Sequence, residues 1–151
     1  MSLRMWVFGV SAIAFHSFAV GASLASDVTQ STIQQTICVK GYSSTVRPST
    51  RFTNPIKFRL MRDAAIPESD KSDWALDHRV PIALGGHPRK LDNLQLLTTH
   101  DNGRKSRIEA KLLCYVCVGQ MTLNQAQREV WEDWGLAYRK HARKKCIRTA
   151  R

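Results

Sequence analysis

The sequence predicts an α+β fold: a short β-hairpin feeding a helix, with additional flanking helices. Three observations lead there. Short apolar runs at Ala75–His78, Val80–Leu84 and Leu94–Leu97 are punctuated by Gly85-Gly86, the pattern of strands broken by a turn. From about Asp101 to Val118, Ile108, Leu112, Leu113 and Val116 recur at helical spacing, and Gly119 stops the run. Thr122 and Gln125 then form a capping box ahead of a second apolar stripe, Leu123, Ala126, Val130, Trp131, Trp134 and Tyr138. Tryptophans at helical spacing read as core before they read as a binding platform.

Upstream of the hairpin the signals are weaker. Thr29–Ile37 is polar with scattered β-branched residues and reads as an extended or weakly helical arm. Cys38 to Pro48 is rich in turn residues and reads as a loop or short strand. Asn54-Pro55 opens a short helix, Pro55–Arg62, because Asn can cap it and Pro tolerates the first helical position. Ala64–Asp73, broken by Pro67 and dense in charge, is a loop.

The N-terminus bears on compartment. One cation, Arg4, precedes an apolar run around Met5–Val20, and Ser23 and Ala25 stand at the two small-residue positions before a cleavage point. That is the pattern of a secretory signal peptide over residues 1–25, with a retained membrane anchor as the rival. A periplasmic or secreted protein follows, with no stable membrane insertion once the signal is removed. The remainder fits one domain, residues 26–138, followed by a basic tail, 139–151. All four cysteines, Cys38, Cys114, Cys117 and Cys146, fall in this part, and an even count in an exported chain points to disulfides. Cys114 and Cys117 share a helix face and are poorly placed to bond each other. Each would reach outward, and we favour Cys38–Cys117 with Cys114–Cys146. A four-cysteine zinc site is the alternative, but such sites usually show two close pairs and here there is one.

The formal net charge of +11 calls for a polyanionic partner, nucleic acid or an acidic membrane surface. Its excess gathers at the end, where Arg139, Lys140, Arg143, Lys144, Lys145, Arg148 and Arg151 meet no acid. Cations of this kind position a phosphate backbone without reading its sequence. No aromatics alternate with them, so single-strand stacking is not indicated. Leu136–Arg151 also has too few apolar residues for a membrane-surface helix.

The most informative stretch runs from Trp74 to Lys105. Asp77-His78 is followed by Val80, Pro81, Ile82, Leu84 and Gly85-Gly86; Asn93 opens the run Leu94, Leu96, Leu97; and a polar, basic helix start follows. This ordered set resembles the His-Asn-His (HNH) endonucleases of the ββα-metal class, over roughly thirty residues. A broader likeness to some exported bacterial HNH proteins joins Cys38…Val46-Arg47-Pro48 to Val116-Cys117-Val118-Gly119…Ala126-Gln127…Asp133-Trp134. Those flanks look like scaffold.

The resemblance implies a metal-dependent endonuclease acting on the backbone of DNA, with RNA as a second candidate substrate, largely without sequence preference. Phosphodiester hydrolysis needs a water made nucleophilic, and a histidine is the natural base at neutral pH. His78 takes that role and Asp77 is the metal ligand beside it. Asn93 is implied to orient His78 through side-chain or backbone groups. The last motif position falls on Asn102 as second ligand, with His100 as the rival. Arg104 and Lys105, in the first turn of the helix, would hold phosphate, aided by the helix N-terminus. One divalent ion is implied, magnesium or manganese by the oxygen ligands, with zinc or nickel as options. Many relatives frame the last position with zinc-binding cysteine pairs; Thr98 and Asp101 stand there instead, so no structural zinc is expected. Adjacent residues of a regular strand face opposite ways, so the Asp77-His78 pair needs irregular backbone or a strand end. Taken alone, an Asp-His pair is a surface turn, Gly85-Gly86 serves only the turn, and His87 and His141 face solvent. The alternative function is a non-catalytic nucleic-acid-binding module on a decayed ββα-metal fold.

Overall fold

The computed structural model describes residues 23–147. The expected signal peptide therefore lies outside the described residues up to position 22, as do Arg148 and Arg151 of the tail. Four helices and one two-stranded sheet follow in the order α1 (Tyr42–Val46), α2 (Thr50–Asp63), β1 (Trp74–His78), β2 (Leu94–Thr98), α3 (Thr99–Cys117) and α4 (Leu123–His141). The fold is mixed α+β, and none of its helices among the described residues is long and apolar enough to cross a membrane.

β1 and β2 pair antiparallel, from Trp74 opposite Thr98 to His78 opposite Leu94. The expected strand over Val80–Leu84 is absent. Pro81 brings no N–H to a ladder, and Ile82–Leu84 closes instead as a 3-10 turn, with Leu84 N donating to Pro81 O at 2.8 Å. Val80, Ile82 and Leu84 are apolar because they are buried, not because they alternate across a sheet. Gly85 follows with a φ of 77°, a left-handed conformation that glycine adopts freely. At Gly86 a Cβ would stand 1.8 Å from the Val80 carbonyl oxygen, so the turn closes only around a hydrogen.

The helices differ from expectation at their starts. α1 lies where a loop or short strand was expected. α2 opens five residues before Pro55, after Ser49, so Pro55 sits inside it. α3 begins behind Thr98, whose hydroxyl accepts from Asp101 N at 3.1 Å. Thr122 caps α4 through Gln125 N at 3.2 Å, the capping box expected there. α4 breaks at Asp133 (φ −159°, ψ 93°), whose carboxylate restarts the second half by accepting from Leu136 N at 2.9 Å.

The core lies between α3 and α4 and is closed by the 79–93 loop and by the N-terminal arm, with Val28, Ile33, Val80, Leu84, Ile108, Leu112, Val116, Leu123, Ala126 and Val130 buried together. The arm over Thr29–Ile37 is a succession of turns, not an extended segment. The last three residues of the expected signal segment pack against the turn: Ser23 is buried, Leu24 bridges to Gly86, and Ala25 N donates to Gly85 O at 2.9 Å.

Cys38 is bonded to Cys117 and Cys114 to Cys146. The basic tail is accordingly not free: α4 continues through His141, and Cys146 ties the segment beyond it to α3. His141, expected in solvent, is buried and pairs with Glu129 at 2.6 Å.

Candidate active site

His78 is the last residue of β1, the strand end that the Asp-His pair required. Its ring is buried, and Nε2 lies 3.0 Å from the Pro88 carbonyl. A carbonyl can only accept, so this bond places the ring proton on Nε2 and leaves the Nδ1 lone pair as the basic atom. Burial lowers the His78 pKa; the Pro88 bond and Asp77 oppose that fall, while Arg47 and Lys105 add to it. The imidazole is therefore neutral at pH 7, as a general base must be before it acts.

Asp77 is held from the α3 side. Its Oδ2 receives Lys105 Nζ at 2.8 Å and Gln95 Nε2 at 3.4 Å, and Gln95 is its partner across the ladder. Lys105 is wholly buried and its three donors are spent: on Asp77, on Glu109 Oε1 at 2.6 Å and on the His78 carbonyl at 2.7 Å. This corrects its assignment as a phosphate contact. It is the internal counter-ion that fixes Asp77 and the end of β1. Burial raises the Glu109 pKa, against the pull of Lys105. Two carboxylates share one ammonium, so with both ionised the cluster keeps an excess of one negative charge.

Asn93 is fully buried and makes no bond to His78 itself. It clamps the chain that follows that residue. Its Oδ1 accepts from Val80 N at 2.9 Å, and its Nδ2 donates to Val80 O at 3.0 Å and to His87 O at 3.1 Å. Its own carbonyl accepts from Arg79 N at 2.7 Å. One amide thus ties the residues following His78 to the residue preceding Pro88, the acceptor of the His78 proton. His87, expected in solvent, is half-buried and caps the same loop by accepting from Arg89 N and Lys90 N through Nδ1.

Asn102 lies three residues before Lys105 on α3, on the face that meets β1. The rival His100 is exposed, with a side-chain accessibility of 79%, and its ring lies 3.4 Å from the Asp101 carboxylate. Arg104 does not stand free: it meets Asp101 at 3.5 Å and lies over the rings of Tyr138 and Trp134. Among the described residues no three His, Cys, Asp or Glu side chains gather into a metal cage. The donor set fits a loosely held, oxygen-ligated divalent ion, because magnesium-type sites draw one or two ligands from protein and the rest from water and phosphate. Lys105 and Gln95 both bind Oδ2 of Asp77, so Oδ1 is the atom left for such an ion.

Glu109 and Gln95 escaped the sequence reading. The Lys105–Glu109 spacing of four on a helix is the signal that could have found the first; only the strand register reveals the second. A cavity of about 590 Å³ opens elsewhere, between the Ile37–Ser44 segment and α3 near both disulfides, and is lined by none of Asp77, His78, Asn93 or Asn102. It is no guide to this chemistry, since a polymer backbone is met on a surface. No family model matches the chain, and no curated protein or solved structure is significantly similar to it.

Proposed function

We propose that the chain is a metal-dependent endonuclease of the HNH type that hydrolyses the phosphodiester backbone of DNA. The observation that carries this reading is the state of His78: buried, neutral and with its Nε2 proton committed to Pro88, next in sequence to a carboxylate with one oxygen to spare. In this reading Nδ1 of His78 takes the proton of the attacking water. Asn93 keeps the ring aimed by tying the chain after His78 to the residue before Pro88, and Lys105 holds Asp77 in place. Asp77 Oδ1 and Asn102 would hold the divalent ion, which when bound supplies charge neutralisation at the phosphate and the leaving oxygen. The excess of cations draws the polyanion in.

Supercoiled plasmid incubated with the purified protein in magnesium or manganese should be nicked and linearised, and chelator should stop it. His78→Ala should lower the cleavage rate by about 10²–10⁴-fold, the usual worth of a general base, with plasmid retention and thermal midpoint near wild type. Absence of chelator-sensitive cutting in every divalent metal tried would overturn the reading.

A further inference from the structure

Each guanidinium–ring contact among the described residues is made by an arginine that adjoins the candidate site in the chain. Arg79 directly follows His78 and lies over Trp131 at 3.9 Å; Arg89 directly follows Pro88 and lies over Phe52 at 5.1 Å. Arg104 directly precedes Lys105 and lies over Tyr138 at 4.9 Å and Trp134 at 5.8 Å. Neighbouring Cα atoms are about 3.8 Å apart, so each stack is rooted beside a residue that holds His78 or Asp77. Two of the stacks rest on α4. After the short turn at Gly119, the second half of α4 runs back beside the first half of α3, which carries Asn102 and Lys105. Trp131, Trp134 and Tyr138 are only half-buried, whereas Leu123, Ala126, Val130 and Ala137 of the same helix are buried. The aromatic stripe read above as core thus stands at the core's margin, where arginines from other elements lie over it. The Arg104 side chain is 38% accessible, so its guanidinium is open to a ligand.

We propose that the ring-backed guanidinia of Arg79 and Arg104 seat the bases of an unpaired DNA strand led past His78, which makes single-stranded DNA the preferred substrate. A guanidinium is planar, delocalised and weakly hydrated, and it stacks on flat π-systems. Bases stack on arginine planes as they do on aromatic rings, and a ring beneath the arginine holds that plane ready. Duplex DNA hides both faces of its bases within its own stack; only an unpaired strand offers them. The net charge of +11 selects a polyanion over any other flat ligand. The inference rests on the nuclease reading and deepens it by naming the form of DNA that is cut.

The binding arm compares a labelled oligothymidylate with an abasic strand of equal phosphate number, both in chelator, for wild type, Arg79→Lys and Arg104→Lys. Two seats at about tenfold each should give wild type about 100-fold tighter binding of the strand that carries bases. Lysine keeps the charge and loses the plane. Each variant should therefore lose about tenfold on oligothymidylate, while its affinity for the abasic strand and its salt slope stay at the wild-type values. Equal affinity of wild type for the two strands would overturn the proposal, and that comparison needs no variant to fold. Equal losses on both strands would also overturn it, marking the arginines as phosphate contacts or, where the thermal midpoint falls as well, as packing. In the cutting arm, with magnesium or manganese, single-stranded circular DNA should be cut faster than a relaxed duplex circle, and the double variant should lose that ratio. A base preference in a protein that never cuts would sustain the seats and sink the nuclease reading. Cutting of both circles at one rate, with no base preference in binding, would sink the seats alone.

Discussion

The two ends of α3 are held by opposite means. Its N-terminal half meets β1 through ions and hydrogen bonds: Lys105 to Asp77, Glu109 and the His78 carbonyl, beside the Asn93 clamp. Its C-terminal half meets α4 and the arm through Leu112, Val116, Val130 and Ile33, and carries both disulfides. Apolar packing tolerates shifts of volume-conserving side chains at small cost, whereas a buried polar network is all or nothing. Orientation of His78 and Asp77 is thus entrusted to the part of the molecule least able to relax, and durability to the part best able to.

That contrast can be broken at several points. Lys105→Met should be the most damaging for stability, about 3–5 kcal/mol, because it strands buried carboxylates without their cation; urea denaturation measures it. Removing Asp77 and Glu109 together with Lys105, all to leucine or methionine, should recover most of that loss while leaving no cleavage activity. At the other end, Cys114→Ala with Cys146→Ala should cost about 2–4 kcal/mol, yet leave the cleavage rate of the folded protein within about twofold of wild type, since neither cysteine lies near the site. A large loss of rate at unchanged folding would erase the distinction drawn between the two ends.

The smallest effect belongs to the half-buried cluster on α4, where Glu129 receives Lys140 and His141, each at 2.6 Å. Burial raises the Glu129 pKa, but the hydrogen bonds and charges of Lys140 and His141 outweigh it, and the net shift is downward. A folded pKa below that of the unfolded chain means stability that is present above about pH 4.3 and lost as pH falls through the lowered value. Glu129→Gln should therefore flatten the acid limb of a thermal-stability profile below about pH 4 and change cleavage little. An unaltered acid limb would show the cluster to be idle.

Much of this was legible in the sequence, and the failures have physical causes. The helices α3 and α4 announced themselves because periodicity and caps act locally, at Thr122 and Gln125 above all. That Cys114 and Cys117 share a helix face excluded one of the three disulfide pairings; the choice between the other two rested on no local signal. The strand expected at Val80–Leu84 failed because an unbroken apolar run looks alike whether it is paired in a sheet or packed as a turn under two helices. Lys105 was misplaced because nothing local separates a lysine that reaches solvent from one that reaches a carboxylate on another element. The contacts of Leu24 and Ala25 with Gly86 and Gly85 depend on chain that lies far along the sequence. Residues whose partners are near in sequence could be read; those whose partners are distant could not.

Both disulfides land on one turn of α3, from Cys38 near the beginning of the described chain and from Cys146 near its end. The covalent graph is therefore two closed rings sharing a single helical turn, and unravelling from either extremity stops at a knot in the middle. A protease that nicks an exposed connection inside either ring, such as Ala64–Asp73 or the turn at Gly119, releases no fragment. Outside the reducing cytosol such a molecule takes one cut in each ring and still remains one piece.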